Sequence, residues 1–352
     1  MKQEKNACPA KKTSIGGQAL IEGIMMRGPK MSAMAVRNPE GKIILEKWEN
    51  NTSKRPKIFK LPVFRGVYNF VDSMKTGFGC LMRSAEIAGL EDIDKRESKN
   101  ESEEMPVKTE SPAGENTENV KTSVKPSEKK KSSPLMMAIM LVATVLGVGL
   151  AVFLFILLPT YIFSWLPISE TGSAALDSLV KSAFEGILKL AIIIAYMAAV
   201  SRIKDIKRTF QYHGAEHKTI FCYEHGKELT VENIRGERKF HPRCGTSFIV
   251  LMMLVGILIS FFIDPLFIIL IGEIPPRIIR VIIKFLTIPL IMGIGYELLK
   301  FAGKHDNLLT RIISAPGMWL QRITVLEPTD DMIECSIAAF TEVIPEDNSD
   351  IK

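Results

Sequence analysis

The sequence predicts an α-helical membrane domain of about four transmembrane helices carrying an N-terminal cytoplasmic α+β domain, and three observations predict it. The 352 residues are 47% hydrophobic and 24% charged, an average that suggests a soluble protein, yet the apolar residues are concentrated after Pro134. Residues 135–158 form an uninterrupted run of 24 uncharged residues, enough to cross about 30 Å of hydrocarbon. Residues 14–90 instead alternate short apolar runs with turn signals, and residues 91–133 hold scarcely any aliphatic side chain. A single soluble globule is excluded.

These shifts divide the chain into a polar tail (1–13), the α+β domain (14–90), a disordered charged linker (91–133), a multi-pass membrane domain (134–313) and C-terminal amphipathic helices with a tail (314–352). The net charge of +6 is small and dispersed, which argues against a nucleic-acid partner. Cys8, Cys80, Cys222, Cys244 and Cys335 are odd in number, far apart and include no CxxC pair, so no disulfide framework is expected. The N-terminus has no apolar stretch of the signal-peptide kind, which places the first 134 residues in the cytoplasm with reduced thiols.

In the N-terminal part, Asn38-Pro39-Glu40-Gly41 separates SAMAVR from KIILEKWE and predicts a hairpin. Val67, Phe70, Val71, Met74 and Phe78 then share a helical stripe, expected to pack on the hairpin or on the membrane. Gly16-Gly17-Gln18, Glu22-Gly23 and Arg27-Gly28-Pro29 read as backbone turns, or as a cradle for an anion.

After the first span, further spans are expected over about 179–200, 247–263 and 279–299, while LFIILIG between the last two is too short to cross and reads as re-entrant or interfacial. Segment 159–178 carries no Lys or Arg whereas the loop 201–246 carries ten, so that loop and both termini are expected on the cytoplasmic side of the cell membrane. Arg277 and Arg280, at the outer end of the fourth span, fit that orientation less well. Glu185 and Lys189 interrupt the second span four residues apart and read as a pair along one helix face. Near the C-terminus, 314–321 reads as a turn entering a short interfacial helix. Thr329 is a candidate cap for a second helix, with Asp330 and Asp331 in its first turn and Ile333, Ile337 and Phe340 on one face.

Four of the five histidines, His213, His217, His225 and His241, fall in the cytoplasmic loop. His213-Gly214-Ala215-Glu216-His217 is H-x-x-E-H, which on a helix points two imidazoles to one face with a carboxylate beside them. These are the parts of a zinc hydrolase: nitrogen ligands, an open position for water, and Glu216 as general base. His241 and Cys244 follow as H-x-x-C, so the loop supports a closed structural site of four ligands as readily as a catalytic site of three. Asp205, His241, Cys244 and Glu297 are the candidates for a third ligand, Glu297 being the choice if the distant-Glu pattern of inverted zincins applies. His225, in Tyr-Glu-His-Gly, reads as a turn residue.

GGQALIEGIMMRGP, LPVFRGV, FQYHGAEHK, HPRCGTSF and APGMWLQR together resemble the YqhQ-like family of bacterial membrane proteins, a family of unknown function. The resemblance implies a multi-pass membrane protein, described as a predicted metal-dependent enzyme on the strength of its histidine motif. It marks His213, Glu216, His217, His241 and Cys244, with Glu22 and Arg27 from the first motif.

The expected function is a zinc-dependent hydrolase at the cytoplasmic membrane face, acting on a membrane protein or a lipid head group. One alternative is a non-enzymatic protein whose structural zinc, on His213, His217, His241 and Cys244, supports recruitment of a partner. Another is a small transporter using Glu185 and Lys189, disfavoured by the lack of an internal repeat.

Overall fold

The computed structural model describes residues 11–50, 61–89, 134–166, 172–272, 276–305, 307–347 and 349–351. The expected linker 91–133 and the first ten residues of the tail lie outside these.

Strands β1 (Gly16–Leu20), β2 (Gly23–Arg27), β3 (Met31–Arg37) and β4 (Ile43–Glu49) form one antiparallel meander in chain order. The predicted hairpin joins β3 to β4: Gly41 N–H donates to Asn38 O, and the Asn38 side chain accepts from Lys42 N–H. Strict alternation sends Ile24, Met26, Ala33 and Ala35 to one face and Met25, Met34 and Val36 to the other. Both faces are covered, which explains why β2 reads as an unbroken apolar run rather than an alternating one.

Helix α1 (Phe64–Ile87) covers the second face through Cys80 and Leu81. Of the expected stripe, Val71, Met74 and Phe78 are exposed, so it does not pack on the hairpin and is the face open to a membrane, while Gly66, Gly77, Cys80 and Ser84 make the buried side. Small residues there let the helix lie close to its neighbours.

The first candidate span, Leu141–Trp165, is built from α2 (Pro134–Val152), a π-helical turn (Phe153–Leu157) and α3 (Leu158–Trp165). Pro159 removes a backbone donor and crowds the preceding turn, which accounts for the local widening. Helix α4 (Ala174–Val200) holds the second span.

Helix α5 (Lys204–Glu224) follows, then the short α6 (Val231–Arg235) and α7 (Gly245–Ile271), the third span. Residues 266–271 form no separate re-entrant element, because they continue α7 to its end at Gly272. The fourth span, Val281–Ala302, is bent where α8 (Arg277–Leu286) meets α9 (Ile288–Lys304) at Thr287, ahead of Pro289. The chain is thus a mostly helical protein with four helices able to span a bilayer and a small N-terminal sheet.

At the C-terminus, no turn opens at 314–317. Helix α10 (Leu308–Thr324) runs through Pro316 from a reciprocal Asn307–Thr310 cap. Thr329 precedes α11 (Asp330–Thr341) but makes no side-chain capping bond. Helix α11 packs Met332, Ile333 and Phe340 with Tyr212 and Ala215 of α5 against the first face of the sheet. One apolar core therefore joins three widely separated pieces of sequence, and it holds α5 rigidly at the end of the bundle where α4 finishes and α7 begins.

Candidate metal centre

Helix α5 buries Tyr212, Ala215, Ile220 and Cys222 in that core, which turns the intervening face toward the start of α7. Gly214 is the point of closest approach: a side chain there would meet the carbonyl of Leu326. The absence of a Cβ lets segment 324–326 run along the helix, with Leu326 N–H bonded to Phe210 O at 3.0 Å. His213 Nδ1 consequently lies 3.0 Å from Thr324 O, and His217 Nδ1 lies 2.6 Å from Lys239 O. A ring nitrogen facing a carbonyl carries a proton, so in the neutral form of either ring Nε2 is the nitrogen left to ligate a metal.

The rings sit 4.4 Å apart, and His213 Nε2 is 3.1 Å from Cys244 Sγ. One donor atom each from His213, His217 and Cys244 gives a group lying within 4.8 Å of one another. Cys244 caps α7, its sulfur accepting from Thr246 N–H and lying 3.1 Å from the Thr246 hydroxyl. Burial raises its pKa, but His217 and these hydrogen bonds outweigh that and hold the thiol below its ordinary range. Burial pushes His217 downward, toward the neutral form that ligates metals. Two neutral nitrogens and one thiolate are a donor set suited to zinc, and the residues fit that ion.

Glu216 is buried between the two histidines in sequence. Its Oε1 accepts the Gly17 N–H at 3.0 Å, and Gly17 itself is exposed on the edge strand β1. Burial pushes the carboxyl up to about 7, against the electrostatic influence of His213, which lowers it; Cys244 adds to the rise. His217 and Cys244 are buried, and the three donor atoms form an interior group.

The remaining predicted ligands lie elsewhere. His241 is buried with both ring nitrogens engaged: Nδ1 accepts from Arg243 N–H, and Nε2 faces Glu224 and the Arg243 guanidinium. Its backbone is clamped by the Gln321 amide, which donates to His241 O and accepts from His241 N–H. Glu297 receives both arms of the Arg65 guanidinium, tying α9 to α1. Asp205 sits in the first turn of α5, outside the group. His225 ends α5 and lies 2.9 Å from Glu237 Oε2. Glu22 pairs with Arg208 and Arg27 with Asp72, so neither charge of the suggested anion cradle faces open space.

The sequence reading missed Glu224, Arg243 and Gln321, which fix the segment leading into Cys244. Arg243 bonds Glu224 and Thr13 O, while Glu224 accepts Thr13 N–H. Glu224 stands seven residues after His217, on the same side of the helix, and that spacing was the available signal.

The family model described as "Protein of unknown function (DUF1385)" matches residues 61–346. A curated relative, the "Uncharacterized protein YqhQ" of Bacillus subtilis (strain 168), is 32% identical over 333 residues, covering 94% of this chain and 92% of its own. No solved structure matches.

Proposed function

The chain belongs to the DUF1385 family, whose function is unknown, and from that premise we propose that it is a zinc-dependent hydrolase working at the membrane surface. One observation carries the proposal: His213, His217 and Cys244 direct three donor atoms at one point while backbone carbonyls hold both Nδ1 protons. Zinc, when bound, supplies a Lewis acid that polarises a carbonyl or phosphoryl oxygen and acidifies water.

The protein's own residues do the rest. Thr324 O and Lys239 O fix the tautomer and tilt of the two rings. Gly17 N–H holds one oxygen of Glu216, leaving Oε2 to take a proton from water and return it to the leaving group. Because Glu216 is buried, bulk solvent does not compete for that proton. With three ligands from the chain, a fourth position stays available for reaction. A closed four-ligand site is disfavoured because His241 stands outside the group of donor atoms, with Nδ1 accepting from Arg243 N–H and Nε2 3.3 Å from the Arg243 guanidinium.

We place the site in the cytoplasm on the ten Lys and Arg residues of 201–246, with both termini on that side of the cell membrane. A site next to the first residue of a span suits a bond near the bilayer surface, in a membrane protein or a lipid head group. The test is metal stoichiometry of the purified full chain. Zinc should be present in wild type, lost in H213A, H217A and C244A, and retained in E216Q and E297Q. Retention in all three ligand variants would refute the proposal.

A further inference from the structure

At the other end of the bundle, remote from the metal centre, the first, second and fourth spans enclose a cavity of about 110 Å³. The spans alternate in direction, so Thr160 and Ser164 near the end of the first lie level with Lys181 and Glu185 near the start of the second and Lys284 near the start of the fourth. Glu185, 4% exposed, accepts from the Thr160 hydroxyl at 2.9 Å and from Lys284 Nζ at 3.2 Å, with Lys189 Nζ at 3.9 Å. One carboxylate thus faces two ammonium groups, and Lys181 lines the same cavity.

Pairing Glu185 with Lys189 along one helix therefore describes only part of the arrangement. Lys189 and Lys284 together carry one charge more than the Glu185 they share; such an excess within a bilayer is costly, and an anion entering the cavity would relieve it. The lining is mixed: Lys181, Lys284, Thr160 and Ser164 stand among Ile156, Leu157 and Val281. Tyr161 and Leu157, which also line it, are exposed on the first span, Tyr161 over more than half of its surface. Ammonium groups among apolar side chains, next to residues exposed along a span, match an amphiphile with an anionic head.

We propose that this cavity is a binding site for the phosphate group of an anionic lipid. The test uses the full chain in phosphatidylcholine nanodiscs, titrated with dioctanoyl phosphatidic acid, dioctanoyl phosphatidylcholine and inorganic phosphate, with binding read by native mass spectrometry. Phosphatidic acid should bind saturably and phosphatidylcholine should not. Lys284→Gln should weaken binding by about tenfold or more, Lys284→Arg should preserve it, and Glu185→Gln, which removes the competing anion, should tighten it. If Lys284→Gln fails to fold, Lys181→Gln gives the same reading. Equal binding of the two lipids, or unchanged affinity in the lysine variants, overturns the site. Inorganic phosphate binding as tightly as the lipid overturns its assignment to a lipid.

Discussion

Gly17→Ala tests how the sheet positions Glu216, the proposed general base, and Gly16→Ala is its matched control. A Cβ at Gly17 would lie 2.6 Å from the carbonyl oxygen of Met25 and 3.1 Å from the carboxyl carbon of Glu216, against 3.4 Å for ordinary contact. The Met25 oxygen belongs to the paired strand β2 and has no rotamer to escape into. Relieving the clash moves β1 by nearly 1 Å, for a cost of about 1–3 kcal/mol by analogy with overpacked sites. It also strains the Gly17 N–H bond to the Glu216 carboxylate, worth a further 1–2 kcal/mol or so. At Gly16 a Cβ meets nothing within 4 Å, so alanine there should be neutral or stabilise by about 0.4–1 kcal/mol through the unfolded chain. Proteolysis in detergent reads the population of opened molecules. Gly17→Ala should raise the cleavage rate about 30-fold or more, and Gly16→Ala should leave it unchanged or lower it by up to about fivefold. Equal behaviour of the two variants would refute the idea that Gly17 is where β1 closes on Glu216.

Three further predictions follow from other contacts. Cys80, Cys222 and Cys335 are buried thiols pushed up to about 11, chiefly by burial, whereas Cys244 is held low; among these four, chelator-treated protein should therefore alkylate first at Cys244, and added zinc should protect it, as peptide mapping would show. Arg65→Ala and Glu297→Ala should each loosen the seam between α1 and α9, with the double variant little worse than either and zinc content unchanged in a double-mutant cycle. Burial lowers His241 below its ordinary 6.5. Burial raises Glu224, but His241 and Arg243 outweigh it and hold that carboxyl below 4.5. Since both folded values lie below the unfolded ones, their stabilisation is present at pH 7 and is lost as pH falls below 6.5 and then through the carboxyl range. Zinc-free protein should unfold more readily at pH 5 than at pH 7, and stability that holds or rises on acidification would contradict this.

Long-range hydropathy and local turn chemistry made most of the fold legible. Asn38 to Gly41 specified their hairpin through backbone and Asn side-chain bonds that lie within five residues. The four spans were readable because length and hydropathy suffice to define them. What sequence could not supply was the orientation of faces. The stripe on α1 predicted a surface packed on the hairpin or on the membrane, and spacing could not choose between them; Gly77 and Ser84 make the contact inside the protein, because a helix close to its neighbours selects small residues there. The extension of α7 through 266–271 was hidden because a short apolar run looks the same whether it ends one helix or starts another element.

The site was legible in the same partial way. H-x-x-E-H placed His213 and His217 on one helix face, and Cys244 joins them as the cap of the next span. Spacing alone could not separate Cys244 from His241, three residues earlier, because the choice depends on the Gln321 amide, Glu224 and Arg243 drawing that imidazole aside. The carbonyls of Thr324 and Lys239 carry no sequence signature, although they orient the rings.

X-ray absorption at the zinc edge, on full-length protein loaded with a single equivalent of zinc, tests the metal centre most directly. The account predicts two imidazole nitrogens at about 2.0 Å, one sulfur at about 2.3 Å and one further light atom, with the sulfur lost in Cys244→Ala. A shell without sulfur, or one whose sulfur persists in that variant, would contradict it.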